Sequence, residues 1–203
     1  MSDKMINKFF LSCLVCGVCL LNSSAQNLQD YETKITSYEP SEAYPFGRKN
    51  PNASKELSQF EFMIGISDCQ DSIRYPNGSW ISFPSIWKAK YFLNGMAIQD
   101  NYFNPQNPTS NLRLFDPKSK TWKVTYVQIN RGHFVGTWEG RKEENRIILK
   151  REQKNRDSDK VLNRLTFYNI SKSGYDWVSE IVSPDGSVQA NWKQSCKKRI
   201  AQN

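Results

Sequence analysis

From residue 60 onward the chain never runs far without a turn signal. Stretches of apolar–polar alternation at 60–73, 85–93, 96–104, 111–116, 121–129, 133–141, 146–152, 162–170, 175–182 and 187–197 are separated by clusters of Asn, Asp, Gly, Pro and Ser. A period of two sends successive side chains to opposite faces of a sheet. Short strands with turns between them predict an antiparallel all-β domain. A meander of this many hairpins leaves two unpaired edges unless it closes on itself. The expected fold is therefore one antiparallel up-and-down β-barrel of about 8–10 strands, over residues 54–203 and preceded by a short helical turn at 54–59. Residues 26–53 carry Pro40, Pro45, Gly47 and Pro51 and read as an irregular N-terminal arm.

The hairpins fix which side chains face inward. Asn94-Gly95 is the preferred pair for a two-residue type I′ turn. It sets Tyr91 against Ile98, Ala89 against Asp100 and Trp87 against Tyr102, with Lys88, Lys90, Gln99 and Asn101 on the wet face. Asp100 is thereby forced inward. A four-residue loop at 117–120 sets Phe115 against Trp122 and Arg113 against Val124, so Arg113 faces inward on the next strand. A buried carboxylate and a buried guanidinium on neighbouring strands are expected to pair, because either alone is costly. A three-residue loop with Gly132 in the left-handed position sets Gln128 against Phe134, Tyr126 against Gly136 and Val124 against Trp138. The alternation of Phe134, Gly136, Trp138 and Gly140 suits a curved wall or the close approach of a ligand. The last hairpin, around 183–186, admits two registers. One puts Trp177 and Trp192 together inside; the other puts Glu180 inside with Trp192.

The expected interior is Trp87, Tyr91, Asp100, Tyr102, Arg113, Trp122, Tyr126, Gln128, Phe134 and Trp138. Aromatic walls with a few polar anchors suit a small hydrophobic or aromatic ligand. The same residues could instead fill the barrel, Asp100 and Arg113 forming a satisfied internal pair. Catalysis has less behind it. His133 is the only histidine, and no Ser–His or Cys–His pairing, metal-ligand spacing or glycine-rich phosphate loop is found. No metal or other cofactor is expected. An isomerase, cyclase or hydratase would have to use Asp100 or Glu180 as acid or base, with Tyr126 or Arg113 stabilising charge. A third class is a surface interaction module, the basic exterior meeting a partner or an anionic cell surface.

The N-terminus has the order of a secretory signal peptide. Lys4 and Lys8 precede an apolar run from Phe9 to Leu21, and Asn22-Ser23-Ser24-Ala25 places small residues at a cut after Ala25. The run is short of the ~20 residues that a membrane helix needs. An uncleaved anchor and a lipid attached at Cys13, Cys16 or Cys19 are the alternatives. Loss of residues 1–25 lowers Lys plus Arg from 28 to 26 and Asp plus Glu from 20 to 19, so the net charge moves from +8 to +7. The charge is diffuse: between Arg141 and Arg164 the bases alternate with Glu143, Glu144, Glu152, Asp157 and Asp159. That reads as a solvated hairpin rather than a nucleic-acid face. Five cysteines become two, Cys69 and Cys196, on the first and last strands. In an exported barrel those strands are neighbours, and a disulfide would fasten the closure; two buried thiols are the alternative. The expected location is the periplasm or the cell exterior.

The segments FEFMIG, YFLNGMAIQDNYF, NLRLFDPKSKTWKVTYV, GTWEGR and YDWVSEIVSPDGSVQANW, with Arg199, resemble a group of exported bacterial proteins of unknown function with a lipocalin-related, calycin-type β-barrel. The resemblance spans residues 55–199 and implies the fold more than any function. Such barrels often carry Gly-x-Trp in the first strand; here Gly65 is followed by Ile66 and Ser67.

Overall fold

The computed structural model describes residues 27–104, 108–128, 133–155 and 159–199, with the backbone alone at 133 and 134. The expected signal peptide and Gly132 lie outside the described residues. Ten strands form: β1 (Gly65–Arg74), β2 (Trp80–Phe92), β3 (Ala97–Phe103), β4 (Pro108–Asp116), β5 (Thr121–Gln128), β6 (His133–Glu143), β7 (Arg146–Lys154), β8 (Lys160–Tyr168), β9 (Gly174–Val182) and β10 (Val188–Lys198). Each pairs antiparallel with its sequence neighbours, and β1 pairs with β10, so the barrel is closed with no free edge.

The turn chemistry sets the register as expected. Leu93, Asn94 and Gly95 all adopt positive φ, Met96 N–H donates to the Leu93 carbonyl at 3.1 Å, and the ladder ends at Phe92 and Ala97, so the connection is longer than the expected two-residue turn while the register is kept. Trp87 then faces Tyr102, Ala89 faces Asp100 and Tyr91 faces Ile98. Phe115 faces Trp122 and Arg113 faces Val124. Two bulges break the regular pairing. On β6, Tyr126 pairs with Gly136 but Val127 pairs with Phe134, so Val135 is extra and Gln128 lies opposite His133, not Phe134. On β10, Ala190 pairs with Glu180 and Trp192 with Ser179, so Asn191 is extra. This bulge selects between the two registers of the last hairpin: Trp177 and Trp192 meet edge-to-face with ring centroids 5.5 Å apart. Glu180 turns away, to Arg164 at 2.9 Å.

A 3₁₀ segment, Lys55–Met63, replaces the first residues of the strand expected from residue 60. Its Leu57, Phe60 and Met63 are buried and close one end of the barrel. Phe60 meets Trp122 edge-on at 4.7 Å and Phe167 at 5.5 Å. Gln59 accepts the Trp122 indole N–H at 2.9 Å, and Glu61 accepts the Tyr91 hydroxyl at 2.8 Å. This end is therefore packed solid with aromatic rings.

The chain before it is more ordered than an irregular arm. Residues 27–36 form a helix, in which the Thr36 hydroxyl donates to the Glu32 carbonyl at 2.8 Å. Residues 38–50 have little regular structure but are bound to the β2–β3 turn. Tyr38 N–H donates to Asn94 Oδ1 at 3.0 Å, Asn50 N–H to the Gly95 carbonyl at 3.0 Å, and Tyr91 N–H to the Phe46 carbonyl at 2.9 Å. A Cβ on Gly95 would lie 2.3 Å from the Arg48 carbonyl. The Asn-Gly turn thus does two jobs: it reverses the chain and leaves room for the segment laid across it.

Cys69 and Cys196 are cross-strand partners on β1 and β10 and form a disulfide. It joins residues 127 apart in sequence at the seam where the meander closes. Closing so long a loop in the unfolded chain costs about 3–5 kcal/mol in the chain-entropy account. Cys69→Ser together with Cys196→Ser should lower unfolding free energy in urea by about that amount. An unchanged midpoint, or a non-reducing peptide map without the linked pair, would overturn the assignment.

Candidate functional site

The solid packing stops part-way along the barrel. Beyond it lies a cavity of about 470 Å³, toward the end of the barrel at which β1, β3, β5, β7 and β9 finish. That volume falls within the usual range for small-molecule sites. The bland alternative, a barrel filled throughout, describes only the end closed by the 3₁₀ segment.

The floor is built around Asp100. Its carboxylate is fully buried and accepts from three directions: Trp87 Nε1 at 2.6 Å, Asn111 Nδ2 at 2.8 Å and Arg113 Nε at 2.6 Å. The pairing with Arg113 expected from the hairpin arithmetic is present. The Arg113 guanidinium is also stacked among rings, 4.7 Å from Phe60, 5.4 Å from Phe167 and 5.8 Å from Trp87. Burying a charge is tolerated only with such compensation.

Of the residues expected inside, Trp87, Tyr102, Arg113, Tyr126, Gln128 and Trp138 line the cavity. Asp100 does not; it sits behind the wall and its donors form the surface. Tyr91 and Trp122 belong to the closed end, where they hold Glu61 and Gln59. Burial, then the Glu61 carboxylate, pushes the Tyr91 hydroxyl above its ordinary value. The side chain of Phe134 lies outside the described residues.

Sequence reasoning missed a second buried carboxylate. Asp71 on β1 accepts from Trp192 Nε1 at 2.5 Å, from Gln194 Nε2 at 3.1 Å and from the Ser85 hydroxyl. It was legible in principle: Cys69 and Asp71 share a face by period two. Asn163 on β8 repeats the arrangement without charge, accepting Trp138 Nε1 at 2.7 Å and donating to Ser179 Oγ at 3.0 Å. Each of these groups fixes an indole by its N–H and leaves the ring to form the wall. Trp177 differs: its buried Nε1 has no hydrogen-bond partner.

Arg151 is the clearest correction. The run from Arg141 to Arg164 is not wholly solvated, because Arg151 and Gln153 turn inward on β7 with Ile147 and Leu149. The same period of two could have shown it. The guanidinium lies 4.2 Å from the centre of the Trp138 ring. Nη1 donates to the Val135 carbonyl and Nη2 to Gln153 Oε1, both at 2.5 Å. Gly136, with φ 151°, makes the room; a Cβ there would fall 2.1 Å from Arg151 Nη1. The glycine expected to admit a ligand or bend the wall admits this arginine.

The acid–base groups considered from sequence do not face the cavity. Asp100 is held behind it by three donors, and Glu180 pairs with Arg164. Arg199, part of the sequence resemblance, reaches Asp68 at 2.7 Å on the exposed rim of β1.

No protein-family model matches the chain, and no curated protein sequence matches it. Solved structures do resemble the fold. Rv2717c from M. tuberculosis superposes with a TM-score of 0.49 at 8% identity, over 73% of this chain and 100% of that one. The S-type phycobiliprotein lyase CpeS from Guillardia theta gives 0.47 at 13% identity, over 71% and 93%. The closed barrel of ten antiparallel strands is the fold class expected from the sequence.

Asp100→Ala leaves Arg113 buried without its counter-charge and should cost about 3–5 kcal/mol of unfolding free energy. The double variant Asp100→Ala/Arg113→Met should recover much of that loss, because the two sites are coupled. Additive effects in urea unfolding, or a single-variant cost below ~1 kcal/mol, would refute the account of the pair.

Proposed function

We propose that the protein is an exported barrel that binds a small hydrophobic or aromatic molecule in this cavity. The observation that carries the reading is the contrast between the two ends of one barrel. Protein interiors are close-packed, and even a cavity the size of one side chain destabilises. Here the closed end obeys that rule, and the other end keeps about 470 Å³ open. The residues around the space are large enough to fill it, yet three of its four tryptophans, Trp192, Trp87 and Trp138, have their indole N–H tied to Asp71, Asp100 and Asn163. Rings held back in this way present flat apolar faces to the interior. Such faces bind water poorly and stack well on other apolar or aromatic groups. The binding surface combines the expected Trp87, Tyr102, Arg113, Tyr126, Gln128 and Trp138 with Trp177 and Trp192. Export fits the Cys69–Cys196 disulfide, since such bonds persist in oxidising compartments. Among the described residues no helix is long and apolar enough to cross a membrane.

Native mass spectrometry of the protein purified from its own source, followed by denaturing extraction, should find a retained apolar or aromatic small molecule. Titration with a neutral aromatic probe, N-phenyl-1-naphthylamine, should quench the interior tryptophans. A protein that carries nothing and leaves its tryptophan emission unchanged up to the probe's solubility would sink the proposal.

A further inference from the structure

The charges around the cavity are distributed unevenly. Its lining contains two charged side chains among the described residues, Arg113 and Arg151, and no carboxylate. Asp71 and Asp100 are both withdrawn behind the wall and fully buried. Arg113 is neutralised there by Asp100 at 2.6 Å. Arg151 has no such partner among the described residues: its acceptors there are a backbone carbonyl and the Gln153 amide, both neutral. Asp71, the other buried carboxylate, sits across the barrel, with β8, β9 and β10 between its strand and β7 on one side and β2 to β6 on the other. Among the described residues, the cavity therefore presents one positive charge without a counter-charge.

That charge is held in place rather than left to roam. The Trp138 ring supports one face of the guanidinium, and Nη1 and Nη2 are each fixed by a hydrogen bond. A guanidinium has five N–H donors in one plane, and two of Arg151's are used. Burial disfavours its charged form, a penalty that a bound anion would relieve. Gly136 and the extra Val135 in β6 exist at the point where the side chain needs space and an acceptor.

We propose that Arg151 is an anion-recognition residue, and that the cavity's ligand is an apolar or aromatic molecule bearing one carboxylate-like group that docks on its guanidinium. The inference rests on the reading of the cavity as a binding site and names the class of ligand it takes. The acidic group lies at the β7 wall beside Trp138, and the apolar body extends toward the rings of Trp177 and Trp192. A planar guanidinium suits a carboxylate or sulfonate, whose two oxygens match two parallel N–H groups.

A matched pair of probes tests this on the full mature chain. 8-Anilinonaphthalene-1-sulfonate and N-phenyl-1-naphthylamine share one ring system and differ by the sulfonate. Wild type should bind the sulfonate more tightly than the neutral probe by about ten- to a hundredfold, the range for a hydrogen-bonded charge. Arg151→Met should erase that preference and leave neutral-probe affinity within about threefold. Arg151→Lys keeps the charge without the planar fork and should retain part of the preference. Arg141→Gln, on the exposed outer face, should change neither affinity. The proposal is overturned if wild type shows no preference, if Arg151→Met keeps it, or if Arg141→Gln loses as much. The wild-type comparison decides the first point even if Arg151→Met does not fold. If neither probe binds wild type, the cavity reading itself fails and the anion site falls with it. If both bind equally, the cavity reading stands and the anion site alone is lost.

Discussion

A carboxylate with no access to water must collect donors, and Asp100 collects them from both neighbouring strands. Trp87 comes from β2, and Asn111 and Arg113 come from β4. A slip of one residue in either pairing would turn Asp100 or its partners to the outer face. The charge thus makes a wrong register costly in a way that apolar packing alone does not. Much else follows from it. Arg113 is drawn under the cavity, where its guanidinium meets Phe60 and Phe167 and forms the boundary between packed and open barrel. Trp87 is turned so that its N–H points into the wall.

The same device recurs around the barrel. Asp71 ties β1 to β2 and β10, and Asn163 ties β8 to β6 and β9. An indole is large enough to collapse across a space this wide. Fixing its one donor removes that freedom at the modest net gain of a buried hydrogen bond. Because the polar partners sit behind the rings, the wall is apolar over much of its area although carboxylates stand close to it. An apolar surface and the groups that hold it open are separated by one side-chain layer.

The fold was legible because three independent signals agreed: alternation, turn residues and the placement of two cysteines on the first and last strands. The Asn94-Gly95 turn and the loop at 117–120 even turned Asp100 and Arg113 to the inner face, since short hairpins leave little choice of register; the cost of leaving either charge alone then made them partners, although Asp100 stands opposite Asn111 and Arg113 opposite Ile98. Legibility ended where one residue was inserted. The bulge at Val135 shifted Gln128 against its expected partner, and the bulge at Asn191 alone separated the two registers of the last hairpin. Neither insertion leaves a mark in composition. The reach of an inward side chain is also invisible to alternation: Tyr91, Trp122 and Trp138 share the inner face, but the 3₁₀ segment claims the first two and leaves the third to the cavity. Arg151 was overlooked for a different reason. A run of alternating charges suggests solvent, and one arginine facing the other way is hidden by its neighbours.

Those two bulges also explain how one barrel has both a filled and a hollow end. An extra residue bends its strand and increases the local twist, and both insertions fall at the level of the cavity. Val135 lines it beside Arg151, and Asn191 and Trp192 line it as consecutive residues, which regular pleating would forbid. At Val135 the distortion does something further. It turns a backbone carbonyl toward Arg151 Nη1, and the following glycine, with φ 151°, leaves the volume that the guanidinium occupies. A regular strand would have given that carbonyl to the ladder, and any residue other than glycine at 136 would have placed a Cβ in the arginine's way. The irregularity that widens the wall is therefore the same one that seats a cation in it, so the shape and the charge of the cavity have a common cause in the backbone of β6.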